Sequence, residues 1–368
     1  MNQASASGLE GILVAETELS DVDGEHGRLT IRGYSVEELV ERASFEDACG
    51  LLWHGALPSP ALREQIQASL ARARVEAFAL VPSLGHALAM SDGMDALRAG
   101  VACLRDDGDP AVDRVRVTAS IAVFAAAWHR VRSGRSPVAP SADLTHAADV
   151  LRMLSAAEPP PAFVTAMNAY LCCVCDHGMN ASTFAARVVA STRSDLVSSI
   201  VAAIGALKGP LHGGAPGPVL DMLDAIGEPD RARAWLEAEV AAGRRIMGMG
   251  HRVYRVRDPR AAALERAASA LQASGTAPPR LALARHVERE AERLLAERHP
   301  QRQLKANVEF YTSVLLDAIG IPRTLFTPAF AASRAAGWCA HVEEQWRVGR
   351  LIRPASRYVG PVLAGHAS

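Results

Sequence analysis

From "SVEELVERASFEDACGLLWHGALP" onward, apolar residues return at the three- and four-residue intervals of an amphipathic helix, with charged residues between them. Ser35 precedes this run and Glu38 follows three residues later, the spacing of a capping box, so a helix is predicted to start there. The same Ala/Leu/Val rhythm recurs as far as the neighbourhood of Val348. Ahead of it, "GILVAETELSDVDGEHGRLTIRGYS" mixes β-branched residues with two Gly-containing turns, Asp23-Gly24 and His26-Gly27, which predicts a small hairpin. "GRSPVAPSAD" and "AAEPPPAF" are Pro-rich breaks that read as surface connections, and "ASGTAPPRLAL" separates two charged helices. No fixed-period repeat is visible, which argues against a solenoid. The pattern therefore predicts a mostly α protein with minor β.

The chain has 368 residues, roughly two to three times a typical domain of about 150, so one subunit of two lobes with a cleft between them is expected. Its formal charge is −1, from 39 Lys and Arg against 40 Asp and Glu. No net field draws it to nucleic acid or to an anionic membrane, and a small-molecule partner is expected. Six cysteines in this length are far too few for a disulfide scaffold and suit a reducing cytoplasm. The N-terminus "MNQASASGLEG" has no basic region followed by an apolar one, and later apolar runs stay shorter than about 20 residues, so neither secretion nor a membrane span is expected.

Four stretches hold residues suited to chemistry. In "SSIVAAIGALKGPLHGGAPGPVLDML" an apolar helix ends at Gly209-Pro210, His212 follows in a loop, and Gly213-Gly214 leave room for a ligand beside the backbone. Another helix is expected near Pro216 or Pro218, whose dipole would keep His212 neutral and able to donate to a carbonyl. On pattern alone the stretch also reads as a plain helix-to-helix turn. In "RRIMGMGHRVYRVRDPRAAALERAASALQASG", Asp258 suits an N-cap, Pro259 the first helical position and Gly275 the stop, which puts Arg260 in the first turn. With Gly248, Gly250 and His251 ahead of it, this segment reads either as an anion site or as a basic solvated loop.

The third stretch, "YLCCVCDHGMNASTFAARVVAST", sets Cys172, Cys173, Cys175 and His177 close together, but lacks paired zinc-ligand spacing; buried thiols on a helix fit better, and His177 on pattern alone is more readily a core histidine than a ligand. The polar residues of "MNAST" suit the cap of a new helix. The fourth is "NVEFYTS" and its sequel. Asn307 can cap, which places Glu309 in the first turn where the dipole favours a carboxylate. Downstream, Arg334 lies among small and apolar residues and calls for an anionic partner, while Arg353 and Arg357 flank a Pro-Ala-Ser turn.

Taken together and in this order, "GPLHGGA", "MGMGHRVY" with "DPRA", "DHGMNASTFAARV" and "TPAFAASRAAGWCAHVEEQ" resemble the citrate synthase family, and the match runs nearly the length of the chain. The resemblance implies an almost wholly helical fold, a large domain (1–213 and 324–368) into which a small domain (214–323) is inserted, closing over the substrate in a homodimer. It implies condensation of oxaloacetate with acetyl-CoA and hydrolysis of the resulting citryl thioester, with no metal or redox cofactor. Carried onto matching positions, His212 would bond the thioester oxygen and His251 would polarise the ketone of oxaloacetate. Glu309 stands where the family keeps its catalytic aspartate. His177, Arg260 and Arg334 would bind oxaloacetate, Arg353 would reach it from the other subunit, and Arg255 would meet a CoA phosphate.

The residue types suit that chemistry. Ionising a thioester methyl group needs a carboxylate at the carbon and a donor at the incipient enolate oxygen, and a dicarboxylate substrate explains several arginines aimed at one place. Two features depart from the family pattern. Glu309 is longer than aspartate by one methylene, and Pro216 stands where asparagine is usual. The alternatives are a 2-methylcitrate synthase using propionyl-CoA, which differs by one methylene in the acyl pocket, and a catalytically silent paralogue that binds CoA or a dicarboxylate.

Overall fold

In the computed structural model, which describes residues 7–9, 11–213, 216–275 and 280–361, β1 (Ser20–Asp23) and β2 (Arg28–Ile31) form the expected hairpin. They pair antiparallel with Ser20 opposite Ile31 and Asp23 opposite Arg28, and the short β3 (Tyr34–Ser35) pairs with the other edge of β2. Leu29 and Ile31 are buried while Arg28 is exposed, the alternation of a sheet with one wet face.

The periodic run after Ser35 is two helices, α1 (Val36–Arg42) and α2 (Phe45–His54). Each starts at a capping box, Ser35 with Glu38 and Ser44 with Asp47, and the extended backbone at Ala43 and Ser44 breaks the run. Next come α3 (Pro60–Leu80), α4 (Gly85–Ala89), α5 (Gly93–Ala102), α6 (Pro110–Arg132), α7 (His146–Ser155) and α8 (Pro161–Val174). Proline at the first position of α3, α6 and α8 presets the helical φ and lacks only an N–H that would be unpaired anyway. The chain continues with α9 (Ala181–Ser191), α10 (Leu196–Leu207), α11 (Pro216–Ile226), α12 (Ala232–Ala241) and α13 (Pro259–Ala273). It closes with α14 (Arg280–Arg298), α15 (Val308–Ala318) and α16 (Phe326–Val348), beyond which residues 349–361 run without regular structure.

α16 is the axis of the core. Its residues from Phe326 to Val342 are almost all buried, and it packs against α2, α6, α8, α9 and α10. α13 lies between α15 on one side and α8 and α1 on the other, and α14 supports α12 and α15. No helix among the described residues is long and apolar enough to cross a membrane.

Candidate active site

Four loops and helix ends and the interior of one long helix place the residues singled out above. His177 follows α8, His212 lies between α10 and α11, His251 precedes α13, Glu309 begins α15 and Arg334 sits inside α16. The ring centroids of His177 and His251 are 5.7 Å apart, and Tyr254 lies 5.7 Å from His177 and 4.8 Å from His251. Tyr254 Oη is 3.1 Å from His177 Nε2. His177 is held far below the usual imidazole range by burial, and then by the charges of Arg260 and Arg334. Its ring is therefore neutral.

The loop backbone fixes how His251 is protonated. Its Nδ1 accepts the N–H groups of Val253 at 3.0 Å and Tyr254 at 3.1 Å, so the ring hydrogen sits on Nε2 and remains available to donate. Burial, and then Arg260, pushes this imidazole down to about 4 against the opposing effect of Asp258.

For His212 a side-chain network does the same. Its Nε2 lies 2.8 Å from Ser182 Oγ, which also receives the indole N–H of Trp338 at 3.1 Å. Ser182 Oγ–H donates to Asn180 Oδ1 at 2.7 Å, the oxygen that also accepts the backbone N–H groups of Ser182 and Thr183 as the N-cap of α9. With its one hydrogen on Asn180 and one lone pair taken by the indole, the serine has a lone pair left to accept from His212 Nε2. The neutral imidazole then carries its hydrogen on Nε2. Burial, followed by Arg334 and Arg260, pushes His212 down to about 4. Burial and these two cations keep it neutral. Gly214, Ala215 and the side chain of Pro216 lie outside the described residues.

The two buried arginines differ. Arg260 Nε and Nη2 donate to the two oxygens of Asp258 at 3.1 and 2.8 Å, a pairing that also lets Asp258 cap α13 through the Arg260 N–H at 3.0 Å. Arg334 lacks the hydrogen-bonded anionic partner expected of it. Its Nε donates to the Val174 carbonyl at 2.7 Å, its guanidinium lies 4.7 Å from the centre of the Phe330 ring, and its Nη2 is buried with no hydrogen-bond partner among the described residues. Burial pushes it down to about 10, so it remains a cation at neutral pH. A buried guanidinium with an unused donor is a receptor for a carboxylate.

Asn307 caps α15 as expected, accepting the Glu309 N–H at 3.0 Å, while its own amide donates to the Gly250 carbonyl at 2.8 Å. The Glu309 carboxyl, however, is pushed up to about 7, first by burial and also by Asp258, against the charges of Arg260 and Arg245. A helix N-terminus offers a carboxylate only about 0.3–1 kcal/mol, whereas a rise from 4.5 to about 7 corresponds to roughly 3 kcal/mol. Burial outweighs the dipole. What results is a carboxyl poised to exchange a proton near neutrality.

Arg255 and Arg353 do not join this cluster. Both are exposed; Arg255 stands on the loop after His251, and Arg353 lies in the extended segment past α16, where no turn separates it from the equally exposed Arg357. Cys172 and Cys173 are buried on α8 with Cys175 capping its end, and burial pushes all three thiols up. No group of three or more potential ligands suited to a metal ion occurs among the described residues.

Several site residues escaped sequence reasoning. Behind His177, the buried Asp176 accepts the hydroxyl of Ser20 at 2.5 Å and lies 3.1 Å from His341 Nε2, while Arg187 donates to His341 Nδ1 and to Glu344. The sequence signal for this network was the cluster of His341, Glu344 and Gln345 near the end of a helix made largely of small and apolar residues.

The family model described as "Citrate synthase, C-terminal domain" matches residues 8–355. The citrate synthase of Haloferax volcanii is 39% identical over 372 residues, spanning 96% of this chain and 95% of that protein. The crystal structure of citrate synthase from Thermotoga maritima superposes with a TM-score of 0.85 at 34% identity, covering 98% of this chain and 97% of the other. The ternary complex of carboxymethyl coenzyme A and oxaloacetate with citrate synthase from Thermoplasma acidophilum gives 0.87 at 27% identity, covering 98% of each chain.

Proposed function

The chain belongs to the citrate synthase family, and from that premise we propose how its own residues divide the condensation of oxaloacetate with acetyl-CoA. Glu309 takes a proton from the thioester methyl group, and His212 hydrogen-bonds the oxygen on which enolate charge develops. One such donor is worth about 3 kcal/mol in comparable acyl-transfer sites. The nucleophilic carbon attacks the ketone of oxaloacetate, whose oxygen receives the hydrogen bond of His251 Nε2–H and becomes the hydroxyl of the product. Water then cleaves the citryl thioester and releases CoA as the thiol.

Oxaloacetate would be held by His177, Arg260 and Arg334, with Arg353 supplied by the other subunit of a homodimer and Arg255 meeting a phosphate of CoA. The lobes 1–213 with 324–368 and 214–323 would close over the substrates and exclude water before the carbon acid ionises. The observation that carries this reading is the buried Arg334 Nη2, which has no partner among the described residues, beside a site whose imidazoles are held neutral. A substrate carboxylate completes it.

The test is steady-state thiol release with oxaloacetate and either acetyl-CoA or propionyl-CoA, using wild type and Arg334→Gln. A charge-assisted hydrogen bond of about 1.5–3 kcal/mol predicts a KM for oxaloacetate raised roughly 10- to 100-fold in the variant. An unchanged KM contradicts the assignment of Arg334. Faster release with propionyl-CoA would assign the 2-methylcitrate reaction instead.

A further inference from the structure

The hairpin formed by β1 and β2 touches both substrate-facing histidine loops. At its base, Ser20 Oγ donates to Asp176 at 2.5 Å and accepts the Gly178 N–H at 2.9 Å, so it holds the residues on either side of His177. At its tip, the Gly24 carbonyl accepts the Arg255 N–H at 2.9 Å. Three consecutive amides of one loop are thereby used together. Those of Val253 and Tyr254 point to His251 Nδ1, and that of Arg255 points to the hairpin.

The contact at the tip is backbone against backbone. A Cβ placed at Gly24 would run into the Val253 carbonyl, and one at Gly27 would come within 2.5 Å of Val256 Cγ2 and 3.2 Å of the Arg257 carbonyl. Gly24 does not have the positive φ that favours glycine, so close approach alone requires it there. Glu25, between the two glycines, is exposed.

We propose that the tip of this hairpin, through Gly24, is a positioning element for the reaction: it presses the 253–255 backbone into the conformation that keeps the His251 hydrogen on Nε2, facing the ketone. The inference rests on the role given to His251 above. The hairpin acts through the loop and touches no substrate. Its two ends set the two histidine loops relative to each other, since His177 and the His251 loop also meet through Tyr254.

The test compares Gly24→Ala with Glu25→Ala in the full-length protein. Gly24→Ala is expected to lower kcat/KM for oxaloacetate at least about tenfold, as small displacements of reacting groups do, with KM rising as well as kcat falling. The ¹⁵N signals of the His251 ring should lose the pattern of a single Nε2–H tautomer. Glu25→Ala is expected to leave all of these as in wild type. A partly unfolded variant would lower kcat and leave both KM and the ring signals of the folded fraction unchanged, and that result overturns the proposal. So does a Gly24→Ala protein with wild-type kinetics. If Gly24→Ala does not fold, Ser20→Ala is measured at the other end of the hairpin; a raised KM for oxaloacetate supports the proposal and wild-type constants reject it. His251→Gln separates this inference from the reading beneath it, because full turnover in that variant removes the His251 role itself, whereas loss of turnover there with a normal Gly24→Ala rejects only the positioning by the hairpin.

Discussion

Ser182 Oγ lies 2.8 Å from Nε2 of His212 and accepts from it, because its own hydrogen is donated to the amide oxygen of Asn180 at 2.7 Å. The serine is not among the residues assigned to the substrates, yet it fixes which imidazole nitrogen carries the hydrogen. Ser182→Ala removes that constraint and leaves the buried indole N–H of Trp338 without its acceptor. A fall in kcat of about 10- to 100-fold is expected, with KM for oxaloacetate changed much less, measured in steady state. Unchanged kcat would show that the tautomer of His212 does not depend on Ser182.

The raised carboxyl of Glu309 predicts two effects of pH. In activity, the free enzyme needs the base ionised, so kcat/KM should climb with pH and level off above an apparent pKa near 7. His212 and His251, both pushed down to about 4, stay neutral across that range and add no second limb. A flat profile from pH 5.5 to 8.5 would contradict this.

In stability the sign is opposite to that of a salt-bridged acid. A carboxyl whose folded pKa is about 7 against an ordinary 4.5 destabilises the fold progressively as pH rises between those values, and below 4.5 it imposes nothing. Glu309→Gln should therefore be more stable than wild type by on the order of 3 kcal/mol above pH 7 without substrates, and the difference should vanish near pH 4.5. Denaturant melts at pH 5 and pH 8 check this; a gap that is equal at both values would mean that burial of the charge is not its source.

Arg187 and Glu344 are both buried and paired, with His341 and Gln345 on the same guanidinium. Removing one partner leaves an uncompensated buried charge, so Glu344→Leu is expected to lower stability by about 3–5 kcal/mol, and Arg187→Met with Glu344→Leu to recover most of it. Urea unfolding of wild type and the two variants tests this. A double variant no better than the single would show that the network stabilises by more than its mutual compensation.

What the sequence disclosed and what it hid follow from the range of the interactions. Ser35 with Glu38, Asp258 before Pro259, and Asn307 before Glu309 were legible because caps act over two or three residues. Ser20 with Asp176 and Arg187 with Glu344 were not, since each joins residues more than 150 positions apart, and only packing brings them together. The anionic partner expected for Arg334 is replaced by the Val174 carbonyl and the Phe330 ring, contacts that only the packing of α16 against α8 brings about. Glu309 was placed correctly on its helix. Its proton affinity was not, because the dipole is a local feature whereas burial depends on the whole fold.

The central claim is that Glu309 is the base, on a backbone suited to its extra methylene. The most direct measurement is kcat for thiol release by wild type, Glu309→Gln and Glu309→Asp with saturating oxaloacetate and acetyl-CoA. Glu309→Gln should fall by at least about 10²-fold, and Glu309→Asp, whose carboxylate is drawn back by about 1 Å, by a comparable factor. Full activity in Glu309→Gln would contradict the account, and a Glu309→Asp protein faster than wild type would contradict the fit of the site to glutamate.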